Sequence, residues 1–448
     1  MVGIDIKTKK KKIIEKKSEK ATSVIGMNVY LWIASCAIII ISSKLGILPD
    51  DMTGAFAICL GVGLISFVVG DKIPVVNTYL GGGVIVTLFL GSSITYFKLL
   101  PQTTIDTIFN FIGPMGFLNL FIIVLIVGSI VTIDRKLLLN AVAKFIPTII
   151  AAIIGSIVLA IPIGLLFGVT PSRLIAYYVL PIMCGGSGAG ALPLAEMFSS
   201  MTGVDYNEYL SVSMAMLSVG NLFAILFAAF FSKVVAGNSK LSGEGELIKN
   251  KKNSTEKEKI YGKPTLADLA NSLIIIFAIY MLAVMFNKII LPTVFGVSIH
   301  TFAYVVLITV ALKVGNVIPD NITSALIYTQ KYFIAAFVVV IMFACGIAYT
   351  DLGVFITALT SISNILICFA VVMGAMLGGG LFGILMGFYP FEAGVASGLC
   401  MANAGGTGDV AVLSACNRMN MMAYAQISSR IGNAIILIFA SVIFNVMF

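Results

Sequence analysis

The chain has 448 residues, of which 59% are hydrophobic and only 11% charged, against roughly 25% charged residues in an ordinary soluble domain. With a mean hydropathy of +1.07, this composition excludes a soluble globular protein and points to an integral membrane protein. The formal net charge of +8 is not a nucleic-acid footprint: most of the Lys is gathered in residues 7–20 and 240–263, clusters that mark a cytoplasmic face and its anionic lipid heads.

Residues 1–27 are expected to form a Lys-rich cytoplasmic tail, followed over 28–50 by an extra first helix. Its apolar run, 29–48, is longer than a signal-peptide core and lacks a small-residue cleavage pattern. A first unit, 51–235, predicts spans at 54–70, 79–97, 116–133, 143–168 and 209–235, each near the ~20 residues that cross a bilayer. The more polar stretch 98–114 is expected along the membrane surface. Residues 173–202 are apolar but interrupted by Cys184-Gly185-Gly186-Ser187-Gly188-Ala189-Gly190. Each arm is about a dozen residues, or ~18 Å of helix, too short for ~30 Å of hydrocarbon. The segment therefore reads as a re-entrant helical hairpin.

Residues 236–264 mix Lys and Glu and read as a solvated cytoplasmic linker. A second unit, 265–448, predicts spans at 266–287, 297–313, 333–349, 361–388 and 421–446. Within it, the segment 392–419 is broken by Ala404-Gly405-Gly406-Thr407-Gly408-Asp409. The expected fold is an all-α membrane protein of about eleven spans and two hairpins, one extra helix preceding two sets of five. Short matches support a duplication: Ile133-Asp134 with Thr350-Asp351, and Leu166-Phe167-Gly168 with Leu381-Phe382-Gly383.

Charge placement orients the chain. With the N-terminus inside, Lys72, Arg135, Lys136, Lys233, Lys313 and Lys331 join the tail and the loop on the cytoplasmic side. Lys44, Lys98, Arg173 and Lys288 fall outside, and the C-terminus with them. The bias is about five to one in the positive-inside direction. An odd number of spans per unit inverts the second relative to the first, so the hairpins enter from opposite faces and meet near the midplane, as transporter sites do.

Irregular backbone at membrane depth persists only where protein or a watery cavity satisfies it. Helix N-termini at the two glycine stretches would present amides to a carboxylate, and exposed carbonyls would suit a small cation. Ser187 and Thr407 add hydroxyls. The triplets Gly81-Gly82-Gly83 and Gly378-Gly379-Gly380 read instead as close helix packing. Arg430, one of four Arg, lies inside the last apolar run, where so costly a charge faces a partner or a cavity. Its planar fork can grip a carboxylate bidentately, the alternative being an ion pair with Asp409 or Glu392. Arg418 reads as a structural charge, and the lone His300 as packing or boundary. Seven scattered Cys fit neither a disulfide framework nor a zinc site. Gly406-Thr407-Gly408-Asp409 has the form of an intramembrane aspartyl protease motif. That remote alternative needs a second Asp, and the nearest, Asp351, sits at a helix end.

The strings Val179–Gly190, Leu241–Leu247 (Leu-Ser-Gly-Glu-Gly-Glu-Leu), Gly296–His300, Gly398–Asp409, Val412–Asn420 and Ala425–Arg430 together resemble the bacterial 2-hydroxycarboxylate transporter family, over nearly the whole chain beyond its tail. The resemblance implies a secondary transporter of malate or citrate in the bacterial cytoplasmic membrane, coupled to Na+. It also implies a homodimer in which a substrate-carrying domain moves like an elevator against a scaffold. By position, Ser187, Gly188, Gly406, Thr407 and Arg430 match the residues that hold substrate. Ile182, Cys184, Cys400 and Asn403 match one sodium site, and Met401, Asn403, Thr407 and Ser429 a second. The family's sodium–citrate symporters have Asn where this chain has Ser187, and a second substrate-binding Arg where it has Ala404. The missing Arg should weaken a tricarboxylate more than a dicarboxylate. Proton coupling and exchange against lactate stay open.

Overall fold

A computed structural model describes residues 23–24, 27–77, 82–133, 135–249, 262–294 and 297–448, a few of them, Thr407 included, by backbone alone. The regular structure is almost entirely helical. Two antiparallel ladders of two-residue strands are the exceptions: β1 (Ser23–Val24) pairs Ser23 with Asn28 of β2 (Met27–Asn28), and β3 (Thr293–Val294) pairs Thr293 with Ser298 of β4 (Val297–Ser298).

The first half runs through α1 (Val29–Lys44), α2 (Met52–Lys72), α3 (Gly83–Tyr96), α4 (Gln102–Ile112), α5 (Phe117–Val131) and α6 (Arg135–Leu166). A hairpin follows, with α7 (171–182) and α8 (187–202) as its arms, and then α9 (Tyr206–Val234). The second half holds α10 (Leu266–Met285), α11 (Thr301–Val314), α12 (Asp320–Tyr349), α13 (Leu352–Thr360) and α14 (Ile362–Leu385). Its hairpin arms are α15 (390–399) and α16 (Gly406–Ala415), and α17 (422–447) ends the chain.

A helix coincides with each apolar run expected to span. Among the described residues seven are long and apolar enough to cross a membrane: Met52–Lys72, Lys144–Leu166, Tyr206–Val234, Leu266–Ile290, Asp320–Tyr349, Ile362–Leu385 and Tyr424–Met447. Helices α1, α3 and α11 have 14 to 16 residues. Helices α4 and α5 form a further apolar pair, bent by 41°. Local signals fix several starts. Asp51 Oδ1 accepts from Thr53 N and opens α2 at 2.7 Å, Asp205 does the same for α9 through Asn207 N at 2.6 Å, and Thr265 with Asp268 makes a capping box for α10.

Two expectations need correction and a third is refined. The stretch 98–114 forms a helix with one face turned into the protein and Gln102, Thr103, Asp106, Phe109 and Asn110 exposed on the other. Helix α4 buries Thr104, Thr107, Ile108, Phe111 and Ile112 against α2 and α12. Helix α12 begins at Asp320 rather than 333. Asp320 and Asn321 at its start are exposed, but one polar face of its first turns is buried: Thr329 Oγ1 lies 2.7 Å from Ser272 Oγ and Ser324 donates to Gly262 O at 2.6 Å, so that polarity does not mark a water-exposed loop. The linker 236–264 is not solvated throughout either. Residues 241–249 strap the entrance of the second hairpin: Phe391 N donates to Leu241 O (3.1 Å), Tyr389 N to Leu247 O (3.0 Å) and Lys249 N to Gly387 O (3.0 Å). Fully buried Glu392 anchors the strap, accepting from Ser242 Oγ (2.8 Å), Gly243 N (3.0 Å), Gly245 N (3.2 Å) and Arg418 Nε (3.1 Å). A buried carboxylate needs such a set of partners.

Helix α6 lies along α14 with backbones nearly touching. A Cβ on Gly155 would sit 2.8 Å from Gly378 Cα, and one on Gly374 would sit 2.9 Å from Ser156 Cα. Gly380 is equally tight, 2.8 Å from Pro390 O. The triplet 378–380 is thus a packing device, as is Gly83 of the other, whose added Cβ would run into Phe67; Gly81 lies outside the described residues. Helix α3 packs on α12 and α11 on α5, while α16 rests on α9 and α8 on α17.

The two hairpins correspond at a common offset of 219 residues. Gly168 and Gly387 both have positive φ (73° and 80°), Pro171 and Pro390 both open an arm, and Gly186 and Gly405 both precede the second arm; 387 − 168, 390 − 171 and 405 − 186 all give 219. The counterpart of Leu166-Phe167-Gly168 is therefore Leu385-Met386-Gly387, not Leu381-Phe382-Gly383, for Gly383 lies within α14. Likewise Ser187 falls on Gly406, one residue short of Thr407.

Candidate functional site

Glycine lets the two tips meet backbone to backbone. Gly185 N, at φ 69°, donates to Met401 O at 3.2 Å. A Cβ on Gly186 would lie 3.0 Å from Gly405 Cα, and one on Gly405 would lie 3.4 Å from Gly186 Cα. The third wall is the π turn Ser428–Gly432 in α17, whose Ser429 Cα would be 3.1 Å from a Cβ on Gly185. Arg430 is half-buried on that turn. Positive φ disfavours a side chain at all three glycines, and neighbouring backbone blocks one outright at Gly185 and crowds one at Gly186.

Neither second arm has a side-chain cap. Helix α8 opens with a π turn, Ser187–Ala191, in which Ala191 N reaches back to Gly186 O at 3.0 Å. An i→i−5 start leaves one more amide outside the helix's own bonding than an α-helix does. These amides, with the positive end of each helix, form the anion-seeking side of the site.

The cation-seeking side is a buried network around Asp409. Asn403 Nδ2 donates to Asp409 Oδ1 (2.9 Å) and to Cys400 O (3.0 Å), and Asn403 Oδ1 accepts from Gly405 N (2.7 Å). Ser429 Oγ donates to Asp409 Oδ2 (3.0 Å). Asp409 is 1% exposed. Carbonyl, amide, hydroxyl and carboxylate oxygens within so small a volume are the ligand chemistry of a hard cation.

The predicted residues are thus largely brought together. Ser187 and Gly188 begin α8, with Leu125 of α5 facing Gly188 at 3.1 Å from an added Cβ. Gly406 begins α16, and the side chain of Thr407 lies outside the described residues. Asn403, Cys400 and Ser429 share the network, whereas Met401 O accepts from Gly185 N of the first tip. Ile182 is buried behind the tip, where an added Cβ on Gly220 would lie 2.8 Å from its Cγ2. Cys184 turns its thiol toward Pro181 O (2.9 Å) and Gly186 O (3.3 Å), so only its backbone is free to face a ligand. Glu392 pairs with Arg418, which removes it as a partner for Arg430; Asp409 remains within electrostatic reach of Arg430. Asp351 caps α13 through Val354 N at 2.9 Å, and His300 caps α11 through Phe302 N at 3.1 Å.

Sequence reasoning missed two residues. Asn221 Oδ1 of α9 accepts from Ala404 N at 2.9 Å, and Asn433 Nδ2 of α17 donates to Ala189 O at 2.6 Å. Both follow a glycine inside an apolar run (Gly220-Asn221 and Gly432-Asn433), a repeated dipeptide that was the available signal.

A nearly all-helical membrane protein that gathers backbone amides, carbonyls, an Arg and a buried Asp at two broken helices has the construction of a carrier for a small charged solute. The chain belongs to the 2-hydroxycarboxylate transporter family, which matches residues 24–442. It is 41% identical over 424 residues to the citrate/sodium symporter of Salmonella typhimurium, covering 95% of each chain. It is 33% identical to the citrate transporter CitP of Lactococcus lactis (94% of this chain, 93% of the relative) and 31% identical to the malate transporter MleP of the same species (95% and 99%). The protein is a carboxylate transporter, not an enzyme.

Proposed function

We propose that the chain is a sodium-driven symporter of 2-hydroxy di- or tricarboxylates such as malate and citrate. Arg430 clamps one carboxylate through its fork, while the first-turn amides of α8 and α16, with Ser187, Gly188, Gly406 and Thr407, take another carboxylate and the 2-hydroxyl. Sodium binds among the carbonyls of Ile182, Cys184, Cys400 and Met401 and the side chains of Asn403, Thr407 and Ser429, its charge balanced by Asp409. The observation that carries this reading is the convergence of both uncapped tips with the Arg430 turn. The citrate/sodium symporter relative supports the choice of ion.

In this reading the protein lies in a bacterial cytoplasmic membrane with its N-terminus inside and C-terminus outside. Units 51–235 and 265–448 are inverted repeats, an arrangement supported by the common offset and by reciprocal packing: α3 on α12 mirrors α11 on α5, and α16 on α9 mirrors α8 on α17. The hairpins 171–202 and 390–415 move with α6, α9, α14 and α17 as an elevator against the remaining helices, in a homodimer.

Purified protein in liposomes tests the proposal. An inward sodium gradient is expected to drive uptake of labelled malate or citrate. Equal uptake from a pH gradient alone would replace sodium by protons. Counterflow against lactate without net uptake would make the protein an exchanger.

A further inference from the structure

The Gly-Asn dipeptides of α9 and α17 do matching work on opposite hairpins. In α9, Gly220 lets Ile182 of the first hairpin approach, the hairpin of its own half, while Asn221 holds Ala404 N of the second. In α17, Gly432 lets Met401 of the second hairpin approach (2.7 Å from an added Cβ to its Sδ), while Asn433 holds Ala189 O of the first. Each helix therefore packs on its own hairpin through glycine and reaches the other half's hairpin through the adjacent Asn. Both Asn side chains are buried, 1% and 3% exposed. The backbone partner dictates the amide orientation: an N–H must meet Asn221 Oδ1, and a carbonyl must meet Asn433 Nδ2. Gly408 confirms how closely the first brace is built, since a Cβ there would lie 2.9 Å from Asn221 Oδ1 and 2.7 Å from Asn403 Oδ1.

We propose that Asn221 and Asn433 are positioning residues, a pair of crossed braces that lock the two hairpin tips into one unit and so hold the substrate-binding amides in register. The idea deepens the transport reading and rests on it only for its consequence, not for its geometry. Neither residue needs to touch substrate. A hydrogen bond from a membrane helix to a tip strand ties the tip to a rigid element, which preorganises the site. The crossing matters because a brace within one half would let the halves drift apart as separate bodies.

Hydrogen exchange on the purified protein without substrate reads the braces directly. Asn221→Leu is expected to speed exchange over residues 400–408 and spare 185–192. Asn433→Leu is expected to do the reverse, each by about three- to tenfold, the range an interhelical hydrogen bond supports in a membrane. The Asp substitutions should part company. Asn221→Asp keeps an acceptor for Ala404 N and restores protection, whereas Asn433→Asp, read at a pH where the new carboxyl is ionised and carries no O–H, has no donor for Ala189 O and does not. Should a Leu variant fail to fold, the Asp pair alone decides. Effects confined to each helix's own hairpin, or Asp variants that behave alike, overturn the proposal. In uptake assays the Leu variants should raise KM by a similar factor and leave Vmax within about threefold; unchanged KM in both removes the positioning role. Absence of carboxylate uptake by the wild type sinks the transport reading while leaving the exchange result to judge the braces.

Discussion

The two tips occupy matching places in the two halves and are built from different chemistry. The first is nearly bare backbone: Gly185, Gly186, Ser187 and Gly188, with the Cys184 thiol folded back on Pro181 O and Gly186 O. The second carries Asn403 and Asp409, tied to Ser429 and, through Ala404 N, to Asn221. At the offset of 219, Cys184 corresponds to Asn403 and Gly190 to Asp409. Two hairpins of similar shape thus present one neutral tip and one charged tip. The amide-rich starts of both second arms suit a carboxylate, while Asp409 gives only the second tip a fixed negative charge to set beside a cation.

Glycine substitution should break this comparison most severely at the first tip. Gly185 and Gly405 both have positive φ, 69° and 83°, which costs an Ala about 1–2 kcal/mol. The Cβ of Gly185→Ala also runs into the Ser429 backbone, whereas that of Gly405→Ala meets its nearest atom, Gly185 O, at 3.3 Å. Uptake should be abolished in the first variant and only reduced in the second, as initial rates at matched protein levels in liposomes will report.

Arg430→Lys should come next. It keeps the charge and loses the fork, so substrate KM should rise about ten- to a hundredfold, the loss of a charge-assisted hydrogen bond of ~1.5–3 kcal/mol. An unchanged KM would take Arg430 out of the site.

Asp409→Asn tests the charged tip alone. The sodium concentration for half-maximal uptake should rise about tenfold, from the loss of roughly 1.4 kcal/mol of attraction, with a smaller change in substrate KM at saturating sodium. Cys184→Ser at the neutral tip should alter neither, because the thiol points into the protein.

The smallest measurable change is expected from Ala404→Arg, which adds a second carboxylate partner to the site. It should raise citrate affinity relative to malate by a few-fold, up to about tenfold for one charge-assisted contact on a partly exposed position, measured as the ratio of the two KM values.

Much of this arrangement could be read from the chain. Continuous apolar length is a strong signal in a membrane protein, so every expected apolar run became a helix, and glycine inside such a run marked both tips. Arg430 stood out because charge is costly there. What escaped depended on distant partners. Asn221 and Asn433 bond to backbone 183 and 244 residues away, and a lone Asn in an apolar run gives no direction. The strap at 241–249 looked solvated because its anchor, Glu392, lies far along the chain and is itself hidden. Residues 320–332 did not read as part of a span because Asp320, Asn321 and Lys331 are exposed and the polar face of Thr323, Ser324, Thr329 and Gln330 is hidden inside protein. The Gly-Gly-hydroxyl-Gly strings aligned by letters, whereas the folded halves align by φ and helix starts, one residue apart.

In the proposed function both tips and the Arg430 turn form one carboxylate site that sodium completes. Calorimetric titration of malate and citrate into the purified protein, in sodium and then in potassium at equal ionic strength, tests it most directly. Saturable binding of at least one of the two acids is expected in sodium, lost or greatly weakened in potassium and in Arg430→Lys. Binding that is indifferent both to sodium and to the Arg430 substitution would contradict it.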